Sequence, residues 1–345
     1  MALSLFNTQQ PLIQAPMAGV QDFRLAAAVS NAGGLGSLPC AMLSKEQLLS
    51  ELTALTQATN KPYNLNFFCH TPACYTQPQK QKWHQLLAPY FIELGIDDSS
   101  LGMTASRQPI DADTVALIAP FKPPVVSFHF GLPAAAIVQQ IKSWGGKVIS
   151  TATTVDEAKW LEANGADAVI AQGLEAGGHR GHFLSMDLSL QQPTTKLVEQ
   201  CVRELNIAVI AAGGIAIVED VKQMHSLGAA LVQVGSAYLL CQEATTSALH
   251  RDAILQQSVN STALTTIFSG RAARGIENRI MRELGTMPQQ APAFPFASIA
   301  LSALRAKSEA QGKSDFSPLW CGQKYIVRDA FSAAEITKLL APDNA

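Results

Sequence analysis

The 345-residue sequence has little charge and almost no bias in its sign. Charged residues make up 15%, and 25 Lys and Arg against 27 Asp and Glu leave a net charge of −2. A chain so near neutrality has no electrostatic reason to take nucleic acid or an anionic membrane as partner. Long apolar runs are missing, and the first stretch, MALSLFNTQQPLIQAPM, has no basic region ahead of an apolar one. Neither a signal peptide nor a membrane-spanning helix is expected, and the expected location is the cytoplasm. Paired cysteines are absent too. Cys40, Cys69, Cys74, Cys201, Cys241 and Cys321 are scattered without a C-x-x-C, and read as free thiols, several of them core residues. Apolar residues, by contrast, make up 48%. That share suits one large α/β domain with an appendage, or two domains.

Short apolar runs bounded by Gly, Pro and polar residues recur through the first two-thirds of the chain. They are PLIQAPMA (11–18), GLGSLP (34–39), YNLNFF (63–68), VVSFHF (125–130), KVISTAT (147–153), AVIAQG (168–173), AVIAAGG (208–214) and LVQVGSAY (231–238). Helical patterns separate most of them, among them SKEQLLSELTALTQAT, TVDEAKWLEANG and IVEDVKQMHSLG. Strict alternation implies parallel strands with crossover helices, and eight of them close a (β/α)8 TIM barrel. An open doubly wound sheet is the competing architecture.

The expected barrel covers residues 1–240, and residues 69–124 form an insertion too long for an ordinary connection. This insertion contains HQLLAPYFIELG, an expected helix, and should sit over the barrel mouth. Residues 241–320 read as a smaller helical domain covering the active site, with a Pro-rich hinge at MPQQAPAFPF (287–296). The C-terminal 321–345 should return to the barrel.

Barrel enzymes place the active site at the C-terminal strand ends, often with a phosphate after the seventh and eighth strands. Here those strands end in Gly213-Gly214 and in Gln233-Val234-Gly235-Ser236. Glycine leaves backbone N–H groups accessible, and a following helix N-terminus favours negative charge. The dinucleotide alternative is weak: after Gly34-x-Gly36 position 39 is Pro, and positions 54–59 read ALTQAT with no acidic residue. A phosphate at a barrel mouth with polar groups around it suits a mononucleotide such as FMN.

The sixth strand leads into QGLEAGGHRGH (172–182). Gly177 and Gly178 would let backbone approach a planar ligand, and His179 would stand over its face. Histidine is the side chain able to take or hold a proton near neutral pH. The i, i+3 pair His179 and His182 is a poor metal site, because the glycines oppose a rigid helix and no third nitrogen or sulfur ligand is near in sequence. Asn66, Gln172 and Gln233 lie at strand ends, where uncharged amides suit a flavin ring edge. SGRAARGIENR (269–279) reads as a basic helix start, with Arg271, Arg274 and Arg279 on a solvated face.

Together QAPMAGV (14–20), SNAGGLGSL (30–38), NLNFFCH (64–70), AQGLEAGGHRG (171–181), AAGGIA (211–216), QVGSAYL (233–239) and SGRAARG (269–275) resemble the nitronate monooxygenases, formerly called 2-nitropropane dioxygenases. The likeness runs from about residue 5 to FSPLWCGQ (316–323). It implies an FMN-dependent TIM barrel that oxidises alkyl nitronates, notably propionate 3-nitronate, with O2 to a carbonyl product plus nitrite or nitrate. It also implies flavin contacts at Pro16, Met17, Ala18, Asn66, Gln172, Gly177, Gly178, Gly213 and Gly214. Gln233, Val234, Gly235 and Ser236 complete the set and hold the phosphate. His179 matches the family's catalytic histidine, the base for neutral nitroalkanes. No metal, nucleic acid or membrane is implied, and the chain would act as a monomer or homodimer. Where relatives carry tyrosines and a lysine on the substrate side, this sequence has Phe294, Ser298 and Ser302. The alternatives are an NAD(P)H-dependent flavin reductase of enoyl thioesters or quinones, a flavin-free phosphate-binding lyase or isomerase, and a flavin-binding protein without turnover.

Overall fold

A computed structural model describes residues 2–104, 107–256, 262–327 and 330–342. Its strands are β1 (Leu12–Gln14), β2 (Gly36–Pro39), β3 (Tyr63–Phe68), β4 (Val125–His129), β5 (Lys147–Ala152) and β6 (Ala168–Gln172), then β7 (Gly178–His179), β8 (Ala208–Ala212), β9 (Leu231–Val234), β10 (Thr262–Thr265) and β11 (Ala273–Ile276). Eight of them form one parallel sheet in the order β1-β9-β8-β6-β5-β4-β3-β2. A parallel bridge between Ile13 and Leu35 joins its two ends. The sheet is therefore a closed barrel, as the strand and helix alternation predicts.

Strand parity sorts each residue to the inside or the outside. Along β6, Ala168 and Ile170 pack inward with Ile13, Val125, Ile149, Ile210 and Leu231. Val169 and Ala171 pack outward against the helices, beside Leu161, Leu197 and Val198. On β3, Leu65 and Phe67 face out onto Leu48, Leu52 and Leu55. Because side chains alternate with period two, the inward row runs on to the strand end and delivers its last member to the mouth. That member is Phe68 on β3, His129 on β4, Thr151 on β5, Gln172 on β6 and Gln233 on β9.

The crossover helices fall where the sequence places them, for example Lys45–Ala58, Val155–Ala163 and Val218–Ser226. Ser44 starts the first with a capping box to Gln47, and the Thr154 side chain accepts from the Glu157 N–H at the start of the second. The insertion supplies a helix over Gln77–Glu93. Its Trp83, Leu87, Tyr90 and Phe91 share a core with Ile267, Phe268, Ile280, Leu301, Leu304 and Phe316. Insertion and C-terminal segment thus bury their apolar faces against each other.

The segment 241–320 is less helical than its pattern suggests. It contains helices Ala248–Leu255, Arg279–Leu284 and Ala297–Glu309, and also β10 and β11. These two strands pair antiparallel and take β7 as a third. SGRAARG therefore runs from a turn into β11 rather than starting a helix, and its arginines are not a solvated face. Arg274 is buried and donates to the carbonyls of Leu174 (2.9 Å) and Thr262 (3.1 Å). Arg271 stacks over Phe130 with its Cζ 4.0 Å from the ring centre. Arg279 alone opens a helix, and it pairs with Glu93 and Glu283. No helix among the described residues is long and apolar enough to cross a membrane.

Candidate active site

One cavity opens at the C-terminal ends of the barrel strands, and His179 and every flavin contact expected from the sequence line it. Pro16, Met17 and Ala18 come from the loop after β1, Asn66 from β3, and Gln172 from β6. Gly177 comes from the loop after β6, Gly178 and His179 from β7, and Gly213 and Gly214 from the turn after β8. Gln233 and Val234 end β9, and Gly235 and Ser236 follow. His129, Thr151, Arg107, Trp320 and Lys324 also reach it. Strand parity in VVSFHF would have exposed His129. The parity of KVISTAT would likewise have exposed Thr151, whereas Arg107, Trp320 and Lys324 lie outside the helices and strands, with no periodic signal.

The loop bearing His179 is held from several sides. The Gln172 side chain donates to the carbonyl of His179 (2.9 Å) and accepts from the N–H of Gly181 (2.8 Å). Arg180 points away from the cavity into full burial, donating to the Gln191 side chain (2.8 Å) and the Gln172 carbonyl (2.9 Å). With no carboxylate paired to it among the described residues, burial pulls its pKa down to about 9. Glu157 accepts from the N–H groups of Phe183 and Leu184, and Glu175 from the N–H (2.9 Å) and hydroxyl (2.6 Å) of Thr194. Backbone pairing of β7 to β11 opposes His179 to Ala273. Both ends of the Gln172 amide are thus engaged in positioning the histidine.

His179 is half-buried, and its Nε2 lies 2.8 Å from Ser269 Oγ. The single proton of that hydroxyl reaches the Arg271 carbonyl at 3.2 Å, which can only accept. Both contacts are satisfied when His179 carries its proton on Nε2, leaving Nδ1 as a base. Burial first, then the positive charge of Arg107, pushes its pKa well below the usual histidine value. His129 donates from Nε2 to the His179 carbonyl (3.1 Å) and accepts on Nδ1 from Thr151 (3.0 Å). Burial lowers its pKa to about 3, so it too is neutral. Phe294 and Trp320 flank the His179 ring at centroid distances of 5.6 and 5.5 Å. Of the three substrate-side residues expected from the sequence, Phe294 alone meets the site. Ser298 donates to the Pro295 carbonyl (2.6 Å), and Ser302 is exposed.

The glycines divide their work. A Cβ at Gly177 would lie 2.5 Å from the N of Gly322, so this glycine admits the chain at Cys321–Gly322 rather than a ligand. A Cβ at Gly235 would instead face Ala15 and Met17 at 3.3 and 3.7 Å, filling the cradle at the end of β9.

The nitronate monooxygenase family model matches residues 1–343. The chain is 37% identical to the nitronate monooxygenase of Pseudomonas aeruginosa over 98% of its length and 97% of the relative's. With that of Paraburkholderia phytofirmans it shares 36% identity, over 98% and 93% of the two chains. The chain belongs to the nitronate monooxygenase family. Among solved structures, the nitroalkane oxidase of Streptomyces ansochromogenes superposes with a TM-score of 0.88 at 32% identity, covering 99% of this chain and 96% of that one. FabK from Thermotoga maritima matches at 0.75 and 26%, covering 98% and 94%.

Nitronate monooxygenases are flavoenzymes, and the residues lining the cavity fit a flavin. Gln233 Oε1 is buried with no hydrogen-bond partner among the described residues, an acceptor waiting for an N–H such as a flavin ring presents. The N–H groups of Gly214, Gly235 and Ser236 likewise donate to no acceptor among the described residues. Their cradle, where residue 235 carries no side chain, suits a phosphate.

Proposed function

We propose that the protein binds FMN in this cavity and oxidises alkyl nitronates, propionate 3-nitronate among them, with O2 to a carbonyl product plus nitrite or nitrate. The observation that carries the reading is the convergence of the strand-end amides, the glycine cradle and a neutral histidine in one cavity, in a chain matched end to end by the family. Bound flavin supplies electron transfer from the nitronate to O2, with no nicotinamide consumed. The chain's residues do the rest. Pro16, Met17 and Ala18 with Asn66 and Gln233 hold the ring, and Gly214, Gly235 and Ser236 hold the phosphate. Gln172 and His129 fix the backbone of His179, whose Nδ1 removes the α-proton of a neutral nitroalkane. For a preformed nitronate that step is unnecessary, and His179 serves as a polar neighbour. Phe294, Phe130 and Trp320 keep water from the reacting carbon.

We also take residues 241–320 with the 69–124 insertion as a cap domain over this site, and the cytoplasm as its location, given six free thiols. The test is oxygen uptake by the purified protein with propionate 3-nitronate and no nicotinamide. Rapid uptake with nitrite is expected. A yellow protein that takes up no oxygen but consumes NADH with an enoyl thioester or quinone would place it with the reductases instead.

A further inference from the structure

The cavity holds one cation that the proposed chemistry has not used. Of the three on its wall, Arg305 is paired with Glu309 (2.7 Å) and Lys324 with Asp220. The Arg107 guanidinium has neither a carboxylate nor a hydrogen-bond acceptor among the described residues, and its Nη1 is fully buried. Its burial, uncompensated, draws its pKa down. An unpaired, half-buried charge is unfavourable, so a site that keeps one suits an anion that arrives later.

Its surroundings say which part of a ligand it meets. The Arg107 Cζ lies 5.7 Å from the Phe294 ring centre, and the same ring packs 5.6 Å from that of His179. Phe68 and Phe130 extend this wall, at 6.0 and 5.5 Å from Phe294. Cation and histidine therefore share one apolar face, which suits a short methylene chain with a polar group at each end. The guanidinium fork matches a planar two-oxygen anion, a geometry that a carboxylate provides.

We propose that Arg107 binds a carboxylate at the far end of the substrate, selecting nitronates that carry this second negative charge over plain alkyl nitronates. The inference rests on the nitronate oxidation proposed above. Arg107 is a binding residue here, so its removal raises KM and leaves kcat nearly intact.

The test compares the flavin-loaded wild type with Arg107→Met and Arg107→Lys on propionate 3-nitronate and on propyl 1-nitronate, which lacks the carboxylate. Losing a charge-assisted contact should raise the KM of Arg107→Met for propionate 3-nitronate about 10- to 100-fold. Its kinetics on propyl 1-nitronate should barely change, and Arg107→Lys should recover part of the loss. Succinate, an unreactive dianion of similar length, reads the same contact without turnover by equilibrium dialysis. It should bind the wild type and not Arg107→Met. Equal losses on both substrates would mean that Arg107 grips the nitronate itself and would overturn the proposal, as would no change on either. Wild type inert toward both nitronates is a different result, the failure of nitronate oxidation, and succinate binding unchanged in Arg107→Met would then refute the carboxylate contact separately.

Discussion

Replacing Gln172 with Leu removes the one side chain that ties the His179 carbonyl to the Gly181 N–H across the histidine (2.9 and 2.8 Å). The His179 carbonyl keeps its bond from His129 (3.1 Å), whereas the Gly181 N–H, in a buried residue, is left without an acceptor. An orphaned buried donor costs about 1–3 kcal/mol. At roughly 2–4 °C per kcal/mol for chains somewhat shorter than this one, the melting temperature should fall by a few degrees. The larger effect falls on turnover, because a small displacement of a reacting group costs about 100-fold. We expect kcat/KM on nitroethane, measured per bound flavin, to drop about 10- to 100-fold. Gln172→Glu separates the two halves of the contact. It can still accept from Gly181 but can no longer donate to the His179 carbonyl. Its negative charge also favours the protonated imidazole and raises the His179 pKa. The acid limb of kcat/KM on neutral nitroalkanes should then move to higher pH. Melting temperature and kcat/KM both unchanged in Gln172→Leu would refute the positioning role.

Three other outcomes are expected. His179→Asn should lose about 100-fold or more on nitroethane, the range for a removed general base, while retaining most of its activity on ethyl nitronate; equal activity of mutant and wild type on nitroethane would end the base assignment. Gly235→Glu should purify without flavin, because its carboxylate fills the cradle beside Ala15 and Met17; a yellow Gly235→Glu protein would move the phosphate elsewhere. Burial lowers the pKa of His70, His182 and His250 to about 4 and that of His129 to about 3, and takes His179 well below its usual value. The unfolded chain binds those protons near pH 6.5 and the native one does not, so stability is complete above that pH and falls as pH drops through it. Each such histidine contributes a slope of about 1.4 kcal/mol per pH unit, and denaturant melts from pH 7 to 4 should show steep acid destabilisation.

The barrel was legible because its signals are local. Runs such as AVIAQG and AVIAAGG, glycine-ended helices and capping residues each report on a few neighbouring positions, and β6 and β8 lie where those runs predict. The glycine turns and the histidine loop were legible for the same reason, since their residue types stand out within a few positions. The segment after β9 was misread because β11 owes its extended shape to pairing with β10 just upstream and with β7, which is distant in sequence. The propensity of SGRAARG alone does not encode that partnership.

The sequence by itself determined the (β/α)8 alternation, the glycine cradle after β8 and β9, and the place of His179 on the loop after β6. Only the tertiary structure decided what those residues do. It turned the Gln172 amide toward the histidine loop, assigned Gly177 to a chain crossing, buried Arg180 and left Arg107 without a partner among the described residues. The physical reason is that partnership in a folded chain depends on distances between segments many residues apart. Burial, which sets the charge of His179 and the demand of Arg107 for an anion, exists only once those segments have packed.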